Sequence, residues 1–184
     1  MKRNLKKLKE LVVYIAKRSE GDQFFGAVKL NKLLFYSDFL SYLKNGKPIT
    51  ASNYVRREFG PCPAGFKKIS DAMRKGGDIA IQRGTVNGLP QQKTLALRDP
   101  DASMFSGEEI ALVEQVLQEF SSHTGMEISD ASHRFLGWKL AKEGERIPYS
   151  VALVNVKQPS LSDKTRAAKL VAIARKCVEH VPRS

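Results

Sequence analysis

The stretch from Lys29 to Pro63, KLNKLLFYSDFLSYLKNGKPITASNYVRREFGPCP, constrains the fold of this chain more than any other. Its first part carries apolar residues at the i, i+3, i+4 spacing of an amphipathic helix, with a face rich in aromatic rings. Asn45-Gly46 predicts the end of that helix. Gly60-Pro61-Cys62-Pro63 predicts a rigid corner, because proline fixes its own backbone and restricts the residue before it. We therefore expect a central core helix followed by a polar segment.

The other segments predict a mostly helical α+β fold. Helices are expected over residues 3–18, 64–75, from 106 onward after a Ser106–Glu109 capping box, 126–142 as two short helices or one bent at Gly137, and 162–180. Residues 79–82 and 94–97 predict an antiparallel hairpin around a polar loop. Residues 54–59 are expected to be a short strand or extended, with Pro63 in the first turn of the next helix. The whole is expected to be a single domain of about six helices, winged-helix-like where a helix precedes the hairpin.

Charge and composition narrow the class of protein. The net charge is +12, yet residues 106–130 contain six acids and no Lys or Arg. Such a surface could bind nucleic acid or an acidic protein partner, or could serve solubility alone, and these three interpretations stay open. No apolar run predicts a membrane span or a secretory signal. Cys62 and Cys177 lie far apart without CxxC spacing, so we expect a cytoplasmic protein without structural disulfides.

The sequence offers no catalytic constellation. His133 would suggest nucleophilic catalysis beside Cys62, or a general base beside Asp38 or Glu58. A histidine held by a hydrogen bond near Trp138 is the stronger expectation, and Cys62 is expected to be a buried apolar residue. The three histidines lack metal-binding spacing, and no glycine loop of the phosphate-binding types occurs. We expect no enzyme activity, no catalytic residue, no cofactor and no metal.

Several motifs occur in an order that is specific when taken together. They are the KLNKLLFYSDFL helix, the IT…Y…EFGPCP segment, the hairpin, the FS start of a helix, and the SH…W…G..IPY stretch. This pattern resembles the Panacea domain family of SocA-like antitoxins, over about residues 5–153. Residues 154–184 are expected to form a C-terminal helical extension packed on the domain or flanking it.

The resemblance implies a non-enzymatic antitoxin that neutralises a cognate toxin by direct contact. The domain accompanies many unrelated toxins, so the identity of the partner is not implied. We expect the shared motif residues to build the platform for this contact. They are Lys29, Leu30, Lys32, Leu33, Tyr36, Asp38, Tyr54, Gly60, Pro61, His133, Trp138 and Pro148.

Partner contacts are expected among exposed basic groups and in the C-terminal helix. The candidates for contact with the partner or with nucleic acid are Arg56, Arg57, Lys67, Lys68, Arg74, Lys75 and Arg83, and Lys32 is also expected to be exposed. The alternative function is a basic DNA-binding regulator that uses the helix over residues 64–75 and the hairpin, and autoregulates its own promoter. Binding of DNA by such a surface would weaken steeply with salt.

Overall fold

A computed structural model describes residues 2–154 of the chain. Its helices and strands are, in chain order, α1 (Leu5–Arg18), α2 (Ala27–Asn45), β1 (Tyr54–Val55), β2 (Cys62–Pro63), α3 (Phe66–Lys75), β3 (Ile79–Val86), β4 (Leu89–Ala96), α4 (Gly107–Glu119), α5 (Gly125–His133), α6 (Leu136–Leu140) and β5 (Arg146–Ile147). Two 3₁₀-helices span Ala102–Met104 and Tyr149–Leu153. The α+β, mostly helical fold class is confirmed. The helix predicted over residues 162–180 lies outside the described residues.

Helix α2 is the centre of the described fold, as its aromatic face predicts. It contributes to two hydrophobic clusters. The first joins Leu30, Leu33 and Leu34 to α1, α4 and α5. The second joins Phe35 and Phe39 to Tyr54 and to residues near the end of the described chain, Ala141, Ile147 and Tyr149. Because one helix is shared by both clusters, its position fixes the two halves of the described domain together.

Two small antiparallel sheets flank the helices. In the first, β1 lies between β2 and β5, so that Tyr54 is opposite Pro63 on one side and Ile147 on the other. In the second, β3 pairs with β4 through a turn at Asn87-Gly88. Both turn residues have positive φ, 51° and 77°, as a tight two-residue hairpin turn requires. Strand β1 thus belongs to a different sheet from the hairpin that follows α3.

Three local expectations need correction. Pro63 does not begin a helix: it pairs with Tyr54 in β2, and α3 starts at Phe66. The hairpin is longer than the predicted segments, because its strands continue through Gly84 and Pro90. The predicted strand over residues 54–59 is limited to Tyr54–Val55. Local sequence signals locate these elements, but tertiary pairing sets their ends.

Helix ends follow the polar signals in the sequence. The predicted capping box is present, with the Ser106 hydroxyl accepting from the Glu109 amide and the Glu109 carboxylate accepting from the Ser106 amide. A second capping box joins Thr124 and Glu127 at the start of α5. The stretch predicted as two short helices or one bent helix is two helices, α5 and α6, separated at Arg134-Phe135.

Candidate partner-binding site

A concave surface lies between α2, α3 and the β3–β4 hairpin, and we call it the basic groove. It encloses about 970 Å³. Four cationic side chains line it, from three separate segments of the chain: Arg57, Lys67, Arg74 and Arg83. Among the described residues, the lining contains one acidic side chain, Asp71, and an apolar part formed by Leu30, Val55, Pro63, Phe66 and Ile81. The groove therefore combines an excess of positive charge with apolar surface.

The cations of the basic groove are only partly engaged within the described residues. Arg74 donates a hydrogen bond to Asp71 at 3.3 Å, one turn away on the same helix. Arg57 forms an exposed pair with Glu143 at 3.2 Å. Lys67 and Arg83 are exposed and form neither a hydrogen bond nor an ion pair with any described residue. Exposed pairs contribute little stability, about 0–1 kcal/mol, so all four cations are available to an anionic partner.

The structure separates the seven basic candidates into three groups. Arg57, Lys67, Arg74 and Arg83 line the basic groove. Lys68 and Lys75 are exposed on α3 but do not line it. Helical spacing explains this division, since residues seven positions apart share a face, which gives α3 one row with Lys67 and Arg74 and another with Lys68 and Lys75.

Arg56 is a correction to the expected exposure, because it is half-buried and bound to neighbouring residues of the fold. Its guanidinium lies 4.1 Å from the centre of the Trp138 ring. Its Nη1 donates a hydrogen bond of 2.7 Å to the carbonyl of Ala141. Arginine stacked on an aromatic ring and bonded to a backbone carbonyl stabilises the packing of β1 against the region of α6.

Lys32 is a second correction: it is buried, with 2% of its surface exposed. Its ammonium donates one hydrogen bond of 3.3 Å, to the carbonyl of Pro61. Burial lowers the pKa of Lys32 from 10.5 to about 8. Gly60 has φ of 92°, and a Cβ there would clash with Lys32 Cε and Ser132 Oγ. The corner after β1 therefore packs directly against this lysine, and only glycine fits it.

One family model, for the SocA-like antitoxin with a Panacea domain, matches residues 30–139, more than half of the chain. This chain belongs to that family. No curated protein and no solved structure matches the chain. The matched range of the Panacea domain includes α2 from Leu30 onward, the Gly-Pro corner, the hairpin and all four cations of the basic groove. The wider limits of 5–153 and the C-terminal extension remain predictions.

Most of the motif residues of this Panacea domain are buried or engaged in the fold, in line with their expected role as a platform. Lys29 is 1% exposed and pairs with Asp22 at 2.7 Å. Its ammonium also donates to the carbonyls of His123 and Ser121, at 2.6 Å and 3.3 Å. Leu30 and Leu33 lie in the first cluster, with Tyr36 packed against both clusters. Pro148 is exposed and precedes the last 3₁₀-helix.

Asp38 is the centre of a buried polar network. It accepts hydrogen bonds from the amide and hydroxyl of Thr50 and from the Tyr54 hydroxyl at 2.9 Å. The Tyr149 hydroxyl lies 3.3 Å from the same carboxylate, and its shorter hydrogen bond, of 2.7 Å, goes to the carbonyl of Ser52. Burial raises the pKa of Asp38, and the hydrogen bonds from Thr50 and Tyr54 and the nearby Tyr149 hydroxyl oppose this rise. The network joins α2 to β1 and to the last 3₁₀-helix. Its chemistry is structural, because every donor is bound within the fold.

His133 and Trp138 stack with their ring centres 4.0 Å apart, as the expected packing of histidine on tryptophan requires. The Trp138 indole donates a 3.1 Å hydrogen bond to the carbonyl of Arg57. The expected hydrogen bond of His133 is not found, since its buried Nε2 has no partner among the described residues. Nor does His133 bond with Cys62, Asp38 or Glu58 there, so neither catalytic pairing is formed.

Cys62 is half-buried at the edge of the basic groove. Burial raises the pKa of its thiol, while Lys32 and Arg57 act in the opposite direction. A thiol with a raised pKa is mainly protonated at neutral pH and is a weak nucleophile. Within residues 2–154 there is also no group of three or more His, Cys, Asp or Glu residues arranged to hold a metal ion.

A second concavity, the aromatic groove, lies between α2 and α4. It encloses about 350 Å³ and is lined mainly by Phe35, Tyr36, Phe39, Leu40, Leu43, Val116, Phe120, Phe135 and Ala152. Leu43, on its rim, is 50% exposed. A concavity of this size and apolar character accommodates one or two apolar side chains.

In the described residues, no helix is long and apolar enough to cross a membrane.

Proposed function

We propose that this protein is the antitoxin of a toxin–antitoxin pair and neutralises its toxin by direct, non-enzymatic binding. The observation that carries the proposal is membership of the SocA-like antitoxin family over residues 30–139. In such a pair the two proteins meet inside the cell that makes them, so we assign the antitoxin to the cytoplasm. The toxin is a protein whose activity is masked while the complex lasts.

The geometry supports binding by a preformed surface. Stable capture of a protein needs about 1,000 Å² or more of buried surface, presented with little loss of conformational freedom. The shared helix α2, the Asp38 network and the Lys29–Asp22 pair make the described domain a rigid support. The basic groove then offers charged and apolar side chains together, the combination found in protein interfaces.

Co-expression with the product of the neighbouring gene tests this proposal. That product alone should arrest growth, and this chain should restore growth and co-purify with the product as a stable complex. A matched control expresses the product with a Leu33→Asp variant, which places a charge in the core and should abolish the folded domain. Growth arrest that persists in the presence of the soluble wild-type chain would contradict the proposal.

A second candidate function is binding of duplex DNA at the protein's own promoter. The observation that favours it is the exposure of Lys67, Lys68, Arg74 and Lys75 along α3, with Arg83 on the adjacent hairpin. A gel-shift titration against the promoter would then show binding that weakens about tenfold or more over a few-fold rise in salt. Binding that is absent at low salt, or insensitive to salt, would contradict it.

A further inference from the structure

We propose that the basic groove is the site where the antitoxin takes an acidic segment of its partner, with an apolar side chain of that segment on the groove floor. The inference deepens the proposed function and rests on it for the identity of the natural partner. It assigns a binding surface, and a chemical class of ligand, to residues that the family match leaves without a role. Two observations support it.

The first observation is charge. Four cations line the basic groove against one acid, and that acid, Asp71, is already bonded to Arg74. Lys67 lies on α3 and Arg83 on β3, and both line the groove without a partner in the described residues. Carboxylates bound in the groove would form charge-assisted hydrogen bonds with such cations. The excess of positive charge would also speed the encounter with an acidic partner.

The second observation is the apolar floor. Leu30 is almost fully buried, whereas Phe66 and Ile81 are half-buried and still present surface to the groove. A phosphate or an isolated carboxylate would leave this apolar surface unused. A peptide that carries a leucine or phenylalanine between its acids would cover it, and burial of such a side chain favours binding. The mixture of surfaces therefore favours an amphipathic peptide.

The chain provides a matched control for the test. Lys67→Glu with Arg83→Glu reverses the two cations that have no partner in the groove. Lys68→Glu with Lys75→Glu reverses two exposed cations on α3 that do not line the groove. Both double variants make the same change in net charge at exposed positions, and both should keep the fold and melting temperature of the wild type.

The experiment measures fluorescence anisotropy of a short labelled peptide rich in Glu and Leu. The same peptide with Gln for Glu and a labelled DNA duplex serve as comparison probes. We expect the acidic peptide to bind the wild type and the Gln peptide to bind it at least about tenfold more weakly. Binding of the acidic peptide should weaken as the salt concentration rises. The groove variant should lose about tenfold or more in affinity, and the control variant about twofold or less.

Three outcomes would overturn the inference. The first is no binding of the acidic peptide at low salt, and the second is an equal loss of peptide affinity in the two variants. The third is tighter binding of the duplex than of the peptide, with equal losses of affinity in both variants, which would indicate a DNA-binding surface. The growth assay separates this inference from the proposed function. If the groove variant restores growth as well as the wild type, the groove is not the site that binds the partner, but the protein is still an antitoxin. If the peptide results are as expected but the neighbouring product is harmless, the groove binds acidic peptides and the neighbouring product is not the toxin.

Discussion

Lys29 and Lys32 lie one turn apart on α2 and are both almost fully buried, but among the described residues only Lys29 has a counterion. Lys29 pairs with Asp22 at 2.7 Å and donates to two carbonyls. Within residues 2–154, Lys32 has a single hydrogen bond, of 3.3 Å, to the carbonyl of Pro61. Burial of a charge costs several kcal/mol unless partners compensate it. The two lysines should therefore affect stability in opposite directions.

Replacement of Lys32 by Met should stabilise the protein by about 1–3 kcal/mol at neutral pH, because it removes a poorly compensated buried charge and keeps the side-chain volume. Lys29→Met is the matched control and should destabilise by about 2–4 kcal/mol, since it leaves Asp22 and two carbonyls without their donor. Urea unfolding of both variants measures the change in free energy. Destabilisation by Lys32→Met as large as that by Lys29→Met would contradict this account.

The pH dependence of stability provides an independent test of Lys32. Its pKa is 10.5 in the unfolded chain and about 8 in the folded protein. Above pH 10.5 neither state binds the proton. As the pH falls from 10.5 to about 8 the unfolded chain binds it and the folded protein does not, so the folded state loses about 3 kcal/mol of stability, and below about pH 8 both states are protonated. The wild type should therefore gain stability relative to Lys32→Met as the pH rises above 8. A difference between the two proteins that stays constant from about pH 7 to pH 9.5 would refute this.

Asp38 should be essential for the fold. Asp38→Ala leaves the buried amide of Thr50 without an acceptor and removes the link between α2, Tyr54 and Tyr149, so we expect a loss of about 3–5 kcal/mol. Tyr149→Phe removes one donor of the network and should cost about 1 kcal/mol. Thermal unfolding followed by circular dichroism compares the two. Losses of similar size would show that Asp38 is not the centre of the network.

Gly60 should tolerate no side chain. Gly60→Ala combines a strained positive φ with a clash against Lys32 and Ser132, and we expect a cost of about 2–4 kcal/mol. Gly65 also has a positive φ, of 70°, but a Cβ there would meet open space. Gly65→Ala should therefore cost only about 1–2 kcal/mol, from backbone strain alone. If chemical denaturation gives equal losses, the packing at the corner is looser than described.

The sequence predicts those parts of the fold whose signals are local. The spacing of α2, the Gly-Pro corner, the hairpin residues and the Ser106–Glu109 capping box each depend on residues close together in the chain. A second local signal, Thr124 followed by Glu127, has the same capping-box pattern and could have located the start of α5. The sequence predicts helix ends and strand lengths less accurately, because pairing between distant residues, such as that of Tyr54 with Pro63, determines them.

Long-range contacts explain what the sequence does not predict. A lysine inside an amphipathic helix is expected on the outer face, yet Lys32 is buried because the Pro61 corner, 29 residues away, packs over it. Arg56 lies in a segment that reads as exposed, and its partner Trp138 follows much later in the chain. The basic groove likewise joins cations from three segments, so no single motif marks it.

The most direct test of the central claim is growth rescue by the two double variants beside the wild type, each co-expressed with the neighbouring gene product. If the protein is an antitoxin that binds through its basic groove, the wild type and the Lys68→Glu, Lys75→Glu variant will restore growth. The Lys67→Glu, Arg83→Glu variant will fail to do so although it is folded and equally abundant. Rescue by the groove variant as complete as that by the wild type would contradict the claim.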